Sequence, residues 1–150
     1  SRRVWVFVGG GPLEGELQAL AAAAPSRVRI LPFQNQSRMP VVYRLGDLFV
    51  LPSAYGETWG LAVNEALACG RPVVVSDRVG CATDVIDETC GEVVPWSDFG
   101  AMMSSVSRLF SEEGRLAGLA RGASRRAWSF DISRTESSLV EAVFGRRGER

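Results

Sequence analysis

The segment that decides the fold, residues 47–77, reads DLFVLPSAYGETWGLAVNEALACGRPVVVSD. It opens with the apolar run Asp47–Leu51, which is stopped by Pro52, and it closes with the valine-rich run Pro72–Ser76. Short apolar runs rich in β-branched residues are typical of strands that are buried on both faces of a parallel sheet. Residues 60–69 between them have helical composition and end at a glycine. The segment therefore predicts one strand-helix-strand unit.

The same alternation continues on both sides of this segment. Further strands are predicted at 3–8 (buried on both faces), 27–31 and 91–94, with a helix at 13–24, a short helix capped by Ser37, a helical turn after Gly80 and two or three amphipathic helices between 98 and 145. We expect Asp131 to cap the last helix, whose apolar stripe can contain Phe130, Leu139, Val140 and Val143. Strands that alternate with helices predict an α/β fold, with a Rossmann-like parallel sheet flanked by helices on both faces.

The composition excludes several classes of function. The chain has 150 residues, which fits one domain, and its 17 basic residues balance 17 acidic ones. This balance disfavours nucleic-acid binding. All the basic residues are arginine, and there is no lysine or histidine. Schiff-base chemistry, a P-loop lysine and a histidine base are therefore excluded, and any acid-base chemistry supplied by this chain must come from carboxylates.

The cysteines and the apolar runs indicate the compartment. Cys69, Cys81 and Cys90 are odd in number and form no C-x-x-C pair, so we expect small buried residues in a reducing environment and no zinc site. The longest apolar stretches have five or six residues, whereas crossing a bilayer takes about 20. We therefore expect a cytoplasmic protein whose contact with membranes is at most peripheral.

Two carboxylates lie eight positions apart, Glu57 in a loop and Glu65 in the helix that follows. Between them the backbone amides of Trp59, Gly60 and Leu61 form the open end of the helix, whose partial positive charge suits a phosphate. Glu65 can accept hydrogen bonds from both hydroxyls of a ribose, and Glu57 can hold hydroxyls of the group joined to the distal phosphate. We therefore predict a site for a sugar nucleotide.

Both acids also have simpler explanations. Glu57 fits an acid favoured by the positive end of a helix, and Glu65 fits a solvated charge on a helix face. Glu65, however, stands in the almost wholly apolar run 61–69, where a carboxylate needs a partner.

Other candidate site residues give weaker indications of function. The glycines at 9–11 do not have the G-x-G-x-x-G spacing, and no acid closes the second strand, so nicotinamide binding is disfavoured. Arg78 follows a predicted strand and either supplies a cation or faces solvent. The late arginines are expected to form an exposed face, or alternatively to contact another domain: Arg115, Arg121, Arg125 and Arg126.

The segment 47–77 resembles the C-terminal domain of family-four retaining glycosyltransferases of the GT-B fold. The features that carry the resemblance are the Leu-Pro-Ser strand end, the Glu-x7-Glu spacing, the Gly-Leu helix start and the return strand Gly-Arg-Pro-Val-Val-Val-Ser-Asp. The glycine turn at 9–13, the loop containing Phe33 and the Trp128-Ser129-Phe130 region follow in the family's order. An arginine and a lysine that usually precede this part of the family are missing from the chain.

The resemblance implies that residues 1–150 are the nucleotide-sugar (donor) binding domain, one GT-B half, without the N-terminal domain that binds the acceptor. Glu57 would contact the donor sugar near the reacting carbon, as nucleophile or orienting group, and is the predicted catalytic residue. Glu65 would bind ribose, and the amides near Gly60 and Leu61 would receive the phosphate. The predicted nucleotide-sugar-binding residues are Glu65, Trp59, Gly60, Leu61, Thr58, Phe33, Gln34 and Gly10.

The resemblance further implies a hexosyltransferase that takes sugar from a UDP-, GDP- or ADP-sugar for glycan or glycoconjugate synthesis, without metal or other cofactor. On this interpretation the 150-residue chain binds the donor and does not turn it over. Two alternatives stay open: a non-catalytic nucleotide-sugar-binding module, and one half of a sugar-nucleotide epimerase, which the lack of histidine disfavours.

Overall fold

The computed structural model describes residues 3–55 and 57–144. These residues form two compact units, which divide between Val42 and Tyr43 and are called unit 1 and unit 2 below. Helix α2 (Met39–Leu45) contains the point of division. The cysteines are all free thiols, with Cys81 and Cys90 buried and Cys69 half-buried.

Unit 1 is built on two parallel strands. Strands β1 (Trp5–Val8) and β2 (Val28–Leu31) pair in parallel, with Trp5 opposite Val28 and Val8 opposite Leu31. Between them helix α1 (Glu14–Ala23) packs against β2. After β2 the chain forms a single 3₁₀ turn, Gln36–Arg38.

Two details of unit 1 differ from the sequence prediction. Strand β1 is not buried on both faces: Val6 and Val8 are 41% and 37% exposed, and Val4, just before the strand, is 50% exposed. Burial of both faces requires a packed layer on each side of the sheet, and the exposure of Val6 and Val8 shows that the face carrying them has no such layer in the described part of unit 1. Ser37 does not cap a helix either, because it lies inside the 3₁₀ turn, which begins after Asn35.

Unit 2 contains a three-stranded parallel sheet in the order β3-β4-β5. Its elements are β3 (Phe49–Leu51), α3 (Leu61–Ala68), β4 (Val73–Ser76), α4 (Ala82–Val85), β5 (Gly91–Val94), α5 (Phe99–Ser111), α6 (Arg115–Ser129) and α7 (Ile132–Phe144). The predicted bounds of α3 and β5 are therefore close to those observed. The predicted single sheet is present as two hydrogen-bonded sheets, one in each unit.

The core of unit 2 surrounds β4, which is buried at all four of its residues. Helices α3 and α5 both pack against β4, and α6 packs against α3 and α5. Fully buried side chains from these elements include Leu67 of α3, Leu109 of α5 and Val74 of β4. A tightly packed core of this kind fixes the ends of its strands and helices, and with them the loops that carry candidate site residues.

The C-terminal helix begins as predicted but does not bury its apolar side chains. Asp131 Oδ1 accepts a hydrogen bond from the Ser133 amide at 3.0 Å, which confirms the predicted cap. The predicted apolar stripe is largely exposed in the described part of the chain, at Leu139, Val140 and Val143. No helix within 3–55 and 57–144 is long and apolar enough to cross a membrane.

Candidate functional site

In the part of the chain that the structure describes, the N-terminus of α3 carries unpaired backbone amides, at a buried Gly60 and an exposed Leu61. Gly60 precedes the helix with a φ of 96°, a left-handed conformation that glycine adopts without strain, and its carbonyl accepts the Val63 amide at 2.8 Å. The amides of Gly60 and Leu61 have no hydrogen-bond acceptor among the residues described. Free amides at the positive end of a helix favour an anion, and phosphate groups commonly bind there.

Glu57 lies beside this helix end. Its side chain is half-buried, and its Cγ lies 3.7 Å from the position that a Cβ on Gly60 would occupy. Cys81 is also close, because its Sγ lies 3.5 Å from the position of the same Cβ. Burial raises the pKa of the Cys81 thiol, and the negative charge of Glu57 raises that pKa further. The Cys81 thiol therefore stays neutral at physiological pH.

Glu65, on the second turn of α3, has a protein partner that was not predicted. The Tyr43 hydroxyl donates a hydrogen bond to Glu65 Oε2 at 2.8 Å. Tyr43 is buried, and its ring meets Phe49 edge-on at a centroid distance of 5.5 Å. Burial and the hydrogen bond to Glu65 raise the pKa of Tyr43 well above its usual range, so the hydroxyl remains a donor. The apolar sequence around Glu65 indicated the need for a partner but not its identity.

The neighbouring predicted residues take different positions. The Trp59 indole Nε1 donates to Asn64 Oδ1 at 3.1 Å, so this ring folds back onto its own helix. Thr58 and Leu61 are exposed. The structure therefore brings Glu57, Thr58, Gly60 and Leu61 together at one end of α3, with Glu65 further along the helix.

Three predicted residues belong to unit 1. Gly10 lies in the turn after β1, and Phe33, 82% exposed, lies in the loop after β2. In the same loop the Gln34 amide Nε2 donates to the Pro32 carbonyl at 2.9 Å. Their roles in nucleotide binding stay predictions from the sequence.

The loops after β4 and β5 hold an aromatic group that sequence reasoning missed. Asp77 Oδ1 accepts a hydrogen bond from the Trp96 amide at 2.9 Å. The Arg78 guanidinium lies 5.4 Å from the centre of the Trp96 ring, and the Tyr55 ring lies 5.7 Å from the same ring. Arg78 is thus stacked on an aromatic face, a contact that favours a cation. Sequence gives no signal for it, because the three side chains come from three separate loops.

Arg126 corrects the prediction of a wholly exposed arginine face on the late helices. Its Nε donates to the Val85 carbonyl at 2.8 Å and its second guanidinium nitrogen to the Asp84 carbonyl at 2.7 Å. It therefore ties α6 to the C-terminal end of α4. Arg121 and Arg125 are exposed, as expected, and Arg115 is half-buried.

No metal-binding group of three or more Cys, Asp or Glu residues is present within 3–55 and 57–144. The end of α3 offers the backbone amides of Gly60 and Leu61, and the carboxylates near it are those of Glu57 and Glu65. These groups can hold an anion and the hydroxyls attached to it.

Comparison with known proteins identifies the family. Residues 2–112 match the family described as Glycosyl transferases group 1. The chain belongs to this family. The resemblance that rests on residues 47–77 is thereby confirmed. D-inositol 3-phosphate glycosyltransferase from Salinispora tropica is 41% identical over 148 residues, which cover 93% of this chain and 30% of the relative. The protein of the same name from Rhodococcus jostii is 37% identical over 145 residues, which cover 91% and 32%.

Solved structures agree with this assignment to the group 1 glycosyl transferases. The Anabaena protein HepE, in complex with UDP, has a TM-score of 0.78 at 20% identity over 94% of this chain and 40% of HepE. Sucrose-phosphate synthase from Thermosynechococcus elongatus has a TM-score of 0.74 at 25% identity over 93% and 38%. The predicted α/β fold of GT-B glycosyltransferases is therefore confirmed. The chain spans about a third of the length of the relatives named above.

Proposed function

We propose that this chain is the donor-binding domain of a retaining glycosyltransferase, which transfers a sugar from a nucleoside-diphosphate sugar to an acceptor. The observation that carries the proposal is the pair of backbone amides without acceptors among the described residues at the N-terminus of α3, beside Glu57, in a chain of the group 1 glycosyl transferase family. HepE, which has the same fold, was solved in complexes with UDP and with UDP-glucose. A nucleoside diphosphate has the charge that such a helix end attracts.

In this proposal the nucleotide lies along α3. The diphosphate accepts hydrogen bonds from the free amides of Gly60 and Leu61, assisted by the helix dipole. The ribose hydroxyls donate to Glu65. Tyr43 occupies Oε2 of that carboxylate, which leaves Oε1 to the ribose and fixes the direction in which it points. Glu57 then faces the sugar that is joined to the distal phosphate.

Glu57 has two possible chemical roles at the sugar, and both need the carboxylate to be ionised. As a nucleophile it attacks the anomeric carbon as the diphosphate leaves, and as an orienting group it accepts hydrogen bonds from sugar hydroxyls. In either role the departing diphosphate gains negative charge, which the amides of Gly60 and Leu61 stabilise. We propose that these amides replace a metal ion, so that donor binding requires no divalent cation.

The acceptor is bound by another part of the full-length protein. Relatives are named for D-inositol 3-phosphate, and this chain covers about a third of their length. We therefore propose that the 150-residue chain binds the donor without turnover, and that a phosphorylated polyol is the first acceptor class to assay with the full-length enzyme. We further propose a cytoplasmic location with at most peripheral contact with membranes.

The proposal is tested by titrating the chain with UDP-, GDP- and ADP-glucose in an isothermal calorimeter. We expect one of them to bind, and Glu65→Ala to weaken its affinity roughly ten- to a hundredfold, because hydrogen bonds to a charged group contribute about 1.5–3 kcal/mol. Glu113→Ala is the matched control, since Glu113 is exposed in the turn before α6, and it should bind like the native chain. Addition of EDTA should leave binding unchanged.

The outcome that contradicts the ribose role is equal affinity in native chain and Glu65→Ala. A requirement for magnesium that survives chelator controls would contradict the metal-free mechanism. Absence of binding by all three nucleotide sugars would remove the proposed function itself.

A further inference from the structure

We propose that residues 79–81, the turn after β4, are a positioning segment that holds the end of α3 and Glu57 in the arrangement that binds the donor. This inference rests on the proposed function above. Within the turn, Gly80 is exposed, whereas the residues on either side of it are buried: Val79 is 2% exposed and Cys81 is fully buried. It touches the loop 57–60 through backbone and side-chain contacts, and no substrate contact is assigned to it.

The closest contact is between Gly80 and the carbonyl of Thr58. A Cβ built on Gly80 would lie 1.9 Å from Thr58 O and 3.2 Å from the Cα of Trp59. Since a carbon and an oxygen need more than 3 Å, no residue except glycine fits without moving the loop. Gly80 does not have a positive φ, so the reason for glycine here is close approach of two backbones.

A second glycine, Gly60 in the loop before α3, also lies close to the turn. A Cβ on Gly60 would lie 2.6 Å from Val79 Cγ1 and 3.5 Å from Cys81 Sγ. In addition, the Cys81 amide donates to the Trp59 carbonyl at 2.8 Å. Each residue from Thr58 to Gly60 thus lies against at least one residue of the turn, and the turn itself follows the fully buried strand β4.

These contacts control the groups that would bind the donor. Glu57 is the residue before Thr58, and the free amide of Leu61 follows Gly60. A movement of the Thr58 carbonyl therefore moves the carboxylate and the amides together. Accommodating a Cβ at Gly80 requires a shift of more than 1 Å, and misplacement by about 1 Å in an active site costs on the order of a hundredfold in activity.

The chain offers a matched steric control in Gly122, at the packing of α6. A Cβ there would lie 1.8 Å from the Thr89 carbonyl, a clash as severe as that at Gly80. We expect Gly80→Ala and Gly122→Ala both to lower the melting temperature. Only Gly80→Ala should weaken the affinity of the folded chain for the nucleotide, by about tenfold or more. The measurement is calorimetric titration with UDP, GDP and ADP, well below the melting temperature of each variant.

A second pair of variants, at Cys81 and Cys90, serves if Gly80→Ala or Gly122→Ala does not fold, because it introduces no steric clash. Cys81 and Cys90 are both buried thiols, but only Cys81 contacts Gly60, whereas Cys90 contacts the Val85 carbonyl. We expect Cys81→Ala to weaken nucleotide affinity by a few fold and Cys90→Ala to leave it unchanged. Cys81→Ser, which fills part of the space of the thiol, should retain more of the affinity than Cys81→Ala.

The outcomes separate this inference from the proposed function. Loss of affinity in Gly80→Ala and Cys81→Ala, with native affinity in Gly122→Ala and Cys90→Ala, supports the positioning role. Equal affinity in Cys81→Ala and Cys90→Ala overturns it and leaves the proposed function standing. If the native chain binds none of the three nucleotides, the proposed function fails and the positioning role fails with it.

Discussion

Strands β1 and β4 have similar sequences but different surroundings. β1 reads WVFV and β4 reads VVVS, so both are apolar on both faces. β4 pairs with β3 on one edge and β5 on the other, and all its residues are buried. β1 pairs with β2, and its residues alternate between half-buried and exposed. An apolar run therefore favours burial, but whether the strand is buried depends on the elements that pack around it.

The two units also differ in how their polar side chains are held. In unit 1, Gln34 bonds to a carbonyl two residues away. In unit 2, Tyr43 and Glu65 are 22 positions apart, and Arg126 is 41 positions from the Val85 carbonyl that it binds. Long-range hydrogen bonds fix one element against another, whereas local ones stiffen only their own loop. Unit 2 is therefore the part in which site geometry is set by tertiary structure.

The largest expected difference between units 1 and 2 is in the stability that a leucine side chain contributes to each. Leu67 of α3 is fully buried in unit 2, and Leu20 of α1 is 50% exposed in unit 1. Leu67→Ala should lower the free energy of unfolding by about 2–5 kcal/mol, because it removes buried methyl groups and leaves a cavity. Leu20→Ala should cost roughly 1 kcal/mol, since about half of its transfer free energy is at stake. Urea unfolding followed by circular dichroism measures both.

The two leucine variants also control for each other, because the chemical change and the helical context are the same. Similar losses of unfolding free energy in both would show that the packing of units 1 and 2 does not differ as the exposures indicate. Hydrogen exchange of the amides in α1 and α3 gives an independent measurement for each unit.

An intermediate effect is expected from the tyrosine that holds Glu65. Tyr43→Phe keeps the ring against Phe49 but removes the 2.8 Å hydrogen bond to the carboxylate. We expect affinity for the nucleotide sugar to fall by roughly two- to tenfold, since a hydrogen bond of about 0.5–1.5 kcal/mol no longer orients Glu65. The chain has two tyrosines. Tyr55→Phe is the control, because phenylalanine keeps the ring that packs against Trp96 and loses only the hydroxyl.

Calorimetric titration of Tyr43→Phe and Tyr55→Phe measures this difference. If Tyr55→Phe weakens binding as much as Tyr43→Phe, the hydrogen bond from Tyr43 does not orient the Glu65 carboxylate for binding. Melting temperatures of both variants establish that the folded fraction is the same in each titration.

The order of elements could be predicted from sequence because turns, caps and periodicity are local. Residues 47–77 predicted β3, α3 and β4 in their observed order, and Asp131 was predicted as a helix cap. Gly60 and Leu61 were placed at the helix start for the same reason. Membership of the glycosyl transferase family also followed from that single segment.

The remaining parts of the site depend on contacts between segments that are distant along the chain. Nothing near Tyr43 in the sequence indicates that it meets Glu65, and a glycine in a turn gives no sign that it touches the Thr58 carbonyl as Gly80 does. Arg126 was predicted on an exposed face because a charged residue on an amphipathic helix usually faces water. Its carbonyl partners, Asp84 and Val85, are the last two residues of α4, 42 and 41 positions away, so only the packing of α6 in the folded chain reveals them.

The smallest effect concerns a charge in unit 2 at the loop before β5. Hydrogen bonds from Thr89 hold the pKa of Asp87 below its usual range, assisted by Arg126 at 3.5 Å. A lowered pKa in the folded state stabilises the fold above the unfolded value, about pH 3.9. That contribution is lost as the pH falls through the folded value. Asp87→Asn should therefore lower stability slightly at pH 7 and flatten its decline below about pH 4.

Thermal unfolding of native chain and Asp87→Asn from pH 7 to pH 2.5 measures this effect, with Glu113→Gln as the control at an exposed acid. The difference between native chain and Asp87→Asn should shrink towards low pH, because protonation of Asp87 removes the charge in the native protein too. It should also shrink at high salt, which screens the contribution of Arg126. A difference that stays constant from pH 7 to pH 2.5 would mean that the charge of Asp87 does not stabilise unit 2. In that case the contacts of Asp87 with Thr89 and Arg126 would stabilise the loop before β5 through packing and hydrogen bonds that do not need the charge.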